Sequence, residues 1–129
     1  MSDALDISCK LLRDIEVLRD EDERRKAEKE GKVTKSFLRK VFELLDEVGS
    51  KEEFIISVGY MVARRKEEKK EKEDRESDAK KFFRNLREFV ERKEGSWERI
   101  RDELRSVMEY TIKIYTIKAD LGEDLCTRR

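Results

Sequence analysis

The chain has 129 residues, half of them charged and only 36% hydrophobic, which suits one domain with a modest core. Its 32 basic and 32 acidic residues cancel. Disorder by composition and generic coating of nucleic acid both go with a large net charge, so both are disfavoured, while a local basic strip stays compatible with the balance. There is no histidine, the commonest general base and metal ligand near neutral pH, and no proline, which favours long helices.

A first helix is predicted from Ser2 or Asp3, with Ala4, Leu11, Ile15 and Leu18 at three-four spacing and Leu5, Cys9 and Leu12 beside them. From Arg19 to Lys32 the chain is almost wholly polar, either a solvated helix extension or a linker ending at Gly31. A second helix opens near Thr34 or Ser36, both good N-cap types, and carries Leu38, Val41, Phe42, Leu45 and Val48 on one stripe. Gly49 suits its C-terminus, and Ser50-Lys51-Glu52-Glu53 reads as a capping box for a third helix in a tight hairpin with the second. Phe54 to Ala63 is apolar on nearly all sides, the pattern of a helix buried at the centre of a fold. Residues 65–77 form a charged tract, a helix extension or a loop.

A fourth helix starts near Ser77 or Asp78 and buries Ala79, Phe82, Phe83, Leu86, Phe89 and Val90. Gly95 and Ser96 mark a break before a fifth helix, whose stripe is Trp97, Ile100, Leu104, Val107, Met108, Thr111, Ile114 and Tyr115, ended by Gly122. The β-branched run Thr111–Lys118 has strand character, but the three-four spacing continues unbroken from Trp97 and favours helix. The fold class expected is all-α, a single-domain bundle of about five helices spanning residues 1–129, with 19–32 and 65–77 as charged extensions or loops.

Catalytic chemistry finds little support. A Ser-His-Asp or Cys-His set needs histidine, the five glycines are isolated and form no phosphate loop, and the carboxylates lie in mixed-charge runs. The chain is expected not to be an enzyme and to need no cofactor or metal. Cys9 and Cys126 form no metal or redox spacing. Cys9 reads as a small buried hydrophobe, and a bridge to Cys126 is disfavoured in a reducing cytosol. No apolar run approaches the roughly 20 residues that span a bilayer, and no secretory apolar region opens the chain, so a cytoplasmic protein without membrane contact is expected. Abundant Lys, Glu and Arg fit a thermophilic source.

The informative cations lie on packed helices. At 100° per residue, Lys35 and Arg39 fall beside the edge of the second helix's stripe, with Lys40 next to them. Tyr60 and Arg64 share the side of the third helix opposite Phe54, Val58 and Met61, with Arg65 following. Lys80, Arg84 and Arg87 stack opposite the phenylalanines of the fourth. A fixed cation on a rigid helix suits phosphate-backbone binding, and a Tyr beside an Arg suits stacking on an exposed base. In so charged a chain the competing reading is that such stripes pair with carboxylates one turn away. On the fifth helix, Tyr110, Lys113 and Ile117 lie opposite the Trp97 stripe, a second face that suits a subunit interface or a simple five-helix core.

Three segments together resemble a known family, the small α-helical subunit of type III-A (Csm) CRISPR effector complexes, with the small subunits of type III-B and type I-A complexes as near alternatives. They are Lys32-Val33-Thr34-Lys35-Ser36-Phe37-Leu38-Arg39-Lys40-Val41-Phe42, Val58-Gly59-Tyr60-Met61-Val62-Ala63-Arg64, and Leu104-Arg105-Ser106-Val107-Met108-Glu109-Tyr110-Thr111-Ile112-Lys113-Ile114-Tyr115. The resemblance implies a non-catalytic scaffold that stacks with copies of itself and other effector subunits into a filament and contacts target RNA along the guide duplex. It places Arg39 and Arg64 at the family's basic positions. Specificity would then belong to base pairing. The alternative expectation is a helical homodimeric adaptor or regulator that binds no RNA.

Overall fold

The helices begin where the sequence supplies acceptors for their first amides. The protein is described by a computed structural model over residues 3–18, 31–64 and 76–128. Among the described residues there are five α-helices and no strand: α1 (Asp3–Leu11), α2 (Lys35–Leu44), α3 (Lys51–Arg64), α4 (Asp78–Glu91) and α5 (Trp97–Leu121), followed by a 3-10 turn at Leu125–Arg128. The oxygens of Thr34, Ser77 and Ser96 accept the amides of Phe37, Lys80 and Arg99. Ser50 accepts from Glu53 N–H, and the Glu53 carboxylate reaches back to Gly49 N–H at 2.8 Å, which completes the predicted capping box one residue early. Gly122, at φ 73°, ends α5 as predicted and donates its amide to Lys118 C=O. The 111–118 run is helical throughout.

Helix α5 is the centre of the bundle. It packs most extensively against α1, then α2, with a smaller contact to α3, while α4 closes the ring against α3 and α1. Leu104, Val107, Met108 and Tyr115 are fully buried along it. Phe37 meets Phe82 edge to face at 5.6 Å, and Phe54 meets Trp97 at 6.1 Å. Side chains of this size each contribute about 1.5–3 kcal/mol on burial, enough for this stripe to organise the fold. Where α1 crosses α5, the buried Ser8 hydroxyl lies 2.7 Å from Val107 C=O and 2.8 Å from Ala4 C=O, so a small polar residue lets the backbones approach with no acceptor stranded.

The structure corrects four expectations. The first helix stops at Leu11, because Asp14 adopts φ 61° and turns the chain. Ile15 and Leu18 are buried as predicted, but from a non-helical segment. Aspartate enters the left-handed region more readily than most residues. Second, α3 is not the buried centre: Phe54, Val58 and Val62 face inward, while Ile56 and Tyr60 are 69% and 63% exposed. Third, α2 and α3 are joined by a short connection but touch little; α2 lies on α5 and α3 on α4. Fourth, Cys9 is not a free buried thiol. It is bridged to Cys126, with 5.6 Å between their Cα atoms. The charged stretches predicted as extensions or loops fall, for 19–30 and 65–75, outside the described residues.

Both ends of the bundle are tied by polar contacts. At one, the buried Asp78 carboxylate accepts Glu16 N–H at 2.8 Å and faces Lys32, and Gly31 C=O accepts Ala79 N–H at 2.8 Å. At the other, Trp97 donates its indole N–H to Val48 C=O at 3.2 Å, and Lys51 reaches Lys93 C=O at 2.7 Å. No helix among the described residues is long and apolar enough to cross a membrane.

Candidate nucleic-acid interface

The cations singled out in the sequence divide into those that are neutralised and those that are not. Lys35 belongs to the first group. Its side chain is only 12% exposed and its ammonium lies 3.3 Å from the Asp120 carboxylate, so it fastens α2 to α5 rather than facing outward. Arg84 is paired with Glu76, and Arg87 with Glu91 at 2.9 Å. Two of the three cations on the α4 strip are therefore matched locally, the competing reading of that stripe. Arg105 is likewise structural: it lies 2.8 Å from Asp46 and over the Phe42 ring, sealing the α2–α5 seam. Its hydrogen bond and charge hold the Asp46 carboxyl below the usual range, and Asp46 in return raises Arg105.

Arg39, Lys40, Arg64 and Lys80 form the second group. All four are exposed and make no ion pair among the described residues. Arg39 and Lys40 lie on the outward side of α2, whose opposite side buries Phe37, Leu38 and Val41. Helix α2 is fixed by its Thr34 cap and by its packing on α5, so these cations stand on a rigid base. Arg65 lies outside the described residues.

Tyr60 and Arg64 form the most defined feature. The guanidinium carbon sits 5.4 Å from the centroid of the Tyr60 ring, one helical turn earlier, and the ring is 63% exposed. Such a cation–π contact aligns the guanidinium beside the ring without consuming its charge. The helix beneath is held close to α4: a Cβ added to Gly59 would lie 3.1 Å from the Phe83 ring. Glycine thus permits the close approach that fixes the neighbouring tyrosine. Ile56, one turn before Tyr60, extends the exposed side of α3. Sequence reading missed it by treating the whole segment as buried, although Ile56, Tyr60 and Arg64 stand at strict i, i+4 spacing.

On α5 the expected second face is present. Tyr110 is 41% exposed, Lys113 is exposed and Ile117 is half-buried. Leu121, 72% exposed, extends the strip, since eleven residues at 100° each bring it within about 20° of Tyr110. It went unpredicted because it lies beyond the apolar stripe used to define the helix. The strip flanks the buried side of α5, Tyr110 lying about 60° around the helix from Val107.

The site thus consists of exposed, unneutralised cations on α2, α3 and α4, one aromatic ring bearing a guanidinium, and a separate apolar strip on α5. Arg39 and Arg64 are both exposed and stand on two helices that touch only slightly. No family model, curated protein or solved structure matches the chain.

Proposed function

We propose that this protein is a non-catalytic small subunit of a multisubunit RNA-guided effector of the CRISPR type III kind, contacting the backbone of target RNA along the guide duplex. One observation carries the reading: Arg64 rests on the exposed Tyr60 ring and is paired with no carboxylate among the described residues, in a chain whose other arginines are often neutralised. Arg39, Lys40 and Lys80 supply further phosphate contacts, and Tyr60 supplies a stacking surface. The resemblance of the Lys32–Phe42 and Val58–Arg64 segments supports Arg39 and Arg64 among these. In this reading the α5 strip of Tyr110, Lys113, Ile117 and Leu121 meets neighbouring subunits. The protein works in the cytoplasm. Its bridge then points to a hyperthermophilic source, where intracellular disulfides are common and Lys and Glu are abundant.

The test is retention of labelled single-stranded RNA by the purified protein across a salt series. Binding that falls steeply with salt supports the reading. An Arg39→Glu, Arg64→Glu variant with native circular dichroism that binds as tightly as the parent overturns it.

A second reading has its own observation. Ile56, Tyr110 and Leu121 are large apolar side chains more than 40% exposed, which fits a homodimeric adaptor that binds no RNA. That protein self-associates independently of salt, Tyr110→Asp or Ile117→Asp makes it monomeric, and RNA is not retained.

A further inference from the structure

We propose that the Cys9–Cys126 bridge is a redox-operated latch: reduction by a thiol releases the turn at 122–128 from α1 and opens the cleft beside it, while the helical bundle stays folded. The bridge spans 117 positions in sequence and joins the last turn of α1 to the 3-10 turn that follows α5. Both cysteines are half-buried and line a cleft of about 430 Å³, with Leu12, Ile15, Ile114 and Lys118 among its walls. The bridge therefore borders a space wide enough for a small thiol and lies outside the buried cluster, and access is a first requirement for thiol–disulfide exchange.

What the bridge holds in place has little else of the core in it. Gly122 breaks α5 in the left-handed conformation, so the segment after it is not a continuation of the helix. Leu125 and Cys126 are half-buried, Thr127 is exposed, and none of the three belongs to the buried cluster. Asp124 organises the turn internally: its carboxylate accepts Cys126 N–H at 3.0 Å and its carbonyl accepts the Thr127 hydroxyl at 2.9 Å. Its 3.2 Å pair with Lys118 ties the turn to the end of α5, not to α1. The covalent link thus fixes Cys126 directly to α1.

The chemistry balances with a dithiol reductant. Its thiolate attacks one cysteine sulfur, breaks the S–S bond and forms a mixed disulfide. Its second thiol then displaces that cysteine as a thiolate, which takes up a proton. Two electrons and two protons pass to the protein, leaving Cys9 and Cys126 as thiols and the reductant as its own disulfide. Oxidation by a disulfide of the same class reverses the step.

The test is nitrogen-15 relaxation of the intact protein before and after native treatment with dithiothreitol. The expected result is full reduction without denaturant and a fall in the order parameters of Cys126 and Thr127 from about 0.85 to below about 0.6, with Leu104 and Met108 unchanged. A Cys126→Ser variant and a Cys9→Ser, Cys126→Ser variant show the same fall without reductant. The proposal is overturned if the bridge resists dithiothreitol until denaturant is added, if the turn stays rigid in the reduced protein or either variant, or if the core loses its dispersion together with the turn.

Discussion

The Tyr115 hydroxyl joins two distant stretches of chain: it donates to Val33 C=O at 2.6 Å and accepts Leu18 N–H at 3.0 Å, from a ring that is wholly buried. One side chain on α5 thus satisfies two backbone groups on segments with no helix of their own. Tyr115→Phe keeps the ring and removes the oxygen. It is expected to destabilise the protein by about 1–3 kcal/mol, because the Leu18 amide and the Val33 carbonyl lose a partner away from water. Urea unfolding checks this as a lowered midpoint at unchanged slope.

The division of cations predicts which arginines matter for RNA. With the four free cations engaged, the logarithm of affinity should fall against the logarithm of salt with a slope of about −2.8, at roughly 0.7 per phosphate on a single strand. Arg39→Gln with Arg64→Gln is expected to flatten that slope by about 1.4. Arg84→Gln with Arg87→Gln is expected to leave it unchanged, since Glu76 and Glu91 already hold those charges. Titrations at several salt concentrations decide between them.

Tyr60 separates stacking from charge. Tyr60→Ala is expected to weaken RNA binding by about 1–3 kcal/mol, and Tyr60→Phe to retain it, because stacking uses the ring face and not the hydroxyl. Neither change should move thermal stability by more than about 0.5 kcal/mol, as the ring is largely in solvent. Loss of binding in the phenylalanine variant would show that the hydroxyl, not the ring, makes the contact.

Gly59 is the tightest point between α3 and α4. Gly59→Val places a branched Cβ at 3.1 Å from Phe83 and is expected to cost about 1–3 kcal/mol through overpacking. Adding Phe83→Leu should recover part of that loss, which a double-mutant cycle measures.

Asp124 gives the turn after α5 a pH dependence. Burial opposes its ionisation, but the Lys118 hydrogen bond, the Cys126 amide and the Lys118 charge together hold its carboxyl below the ordinary value. A depressed carboxylate stabilises the folded state fully above its unfolded pKa of about 3.9 and loses that contribution as pH falls through the lower native value. The amide shifts of Cys126 and Thr127 are expected to titrate below about pH 4, and Asp124→Asn should abolish the titration.

What could be read from the sequence was local. The caps at Thr34, Ser50, Ser77, Ser96 and Gly122 act within four residues; Ser50 and Gly122 were legible outright, Thr34 and Ser77 each as one of two candidates and Ser96 as part of a break, and the α5 stripe followed from spacing alone. The break at Asp14 carries no proline or glycine to announce it. The pairing of Arg87 with Glu91 was visible one turn away, whereas Lys35 meets Asp120 and Cys9 meets Cys126 only because the fold brings residues 85 and 117 positions apart together. Helix α3 misled because apolar residues on all sides suggest burial, and only its packing partners reveal that α4 covers one side and leaves Ile56 and Tyr60 outside.

The bridge from Cys9 to Cys126 also makes the molecule a covalent ring over nearly its whole length. A single backbone cut anywhere between those positions leaves one molecule of unchanged mass apart from the added water, held by sulfur where the peptide bond has gone. A protease nick therefore stays hidden on a non-reducing gel and yields two pieces only under reduction. Damage and severance become separate events, and the compartment's thiols decide whether one leads to the other.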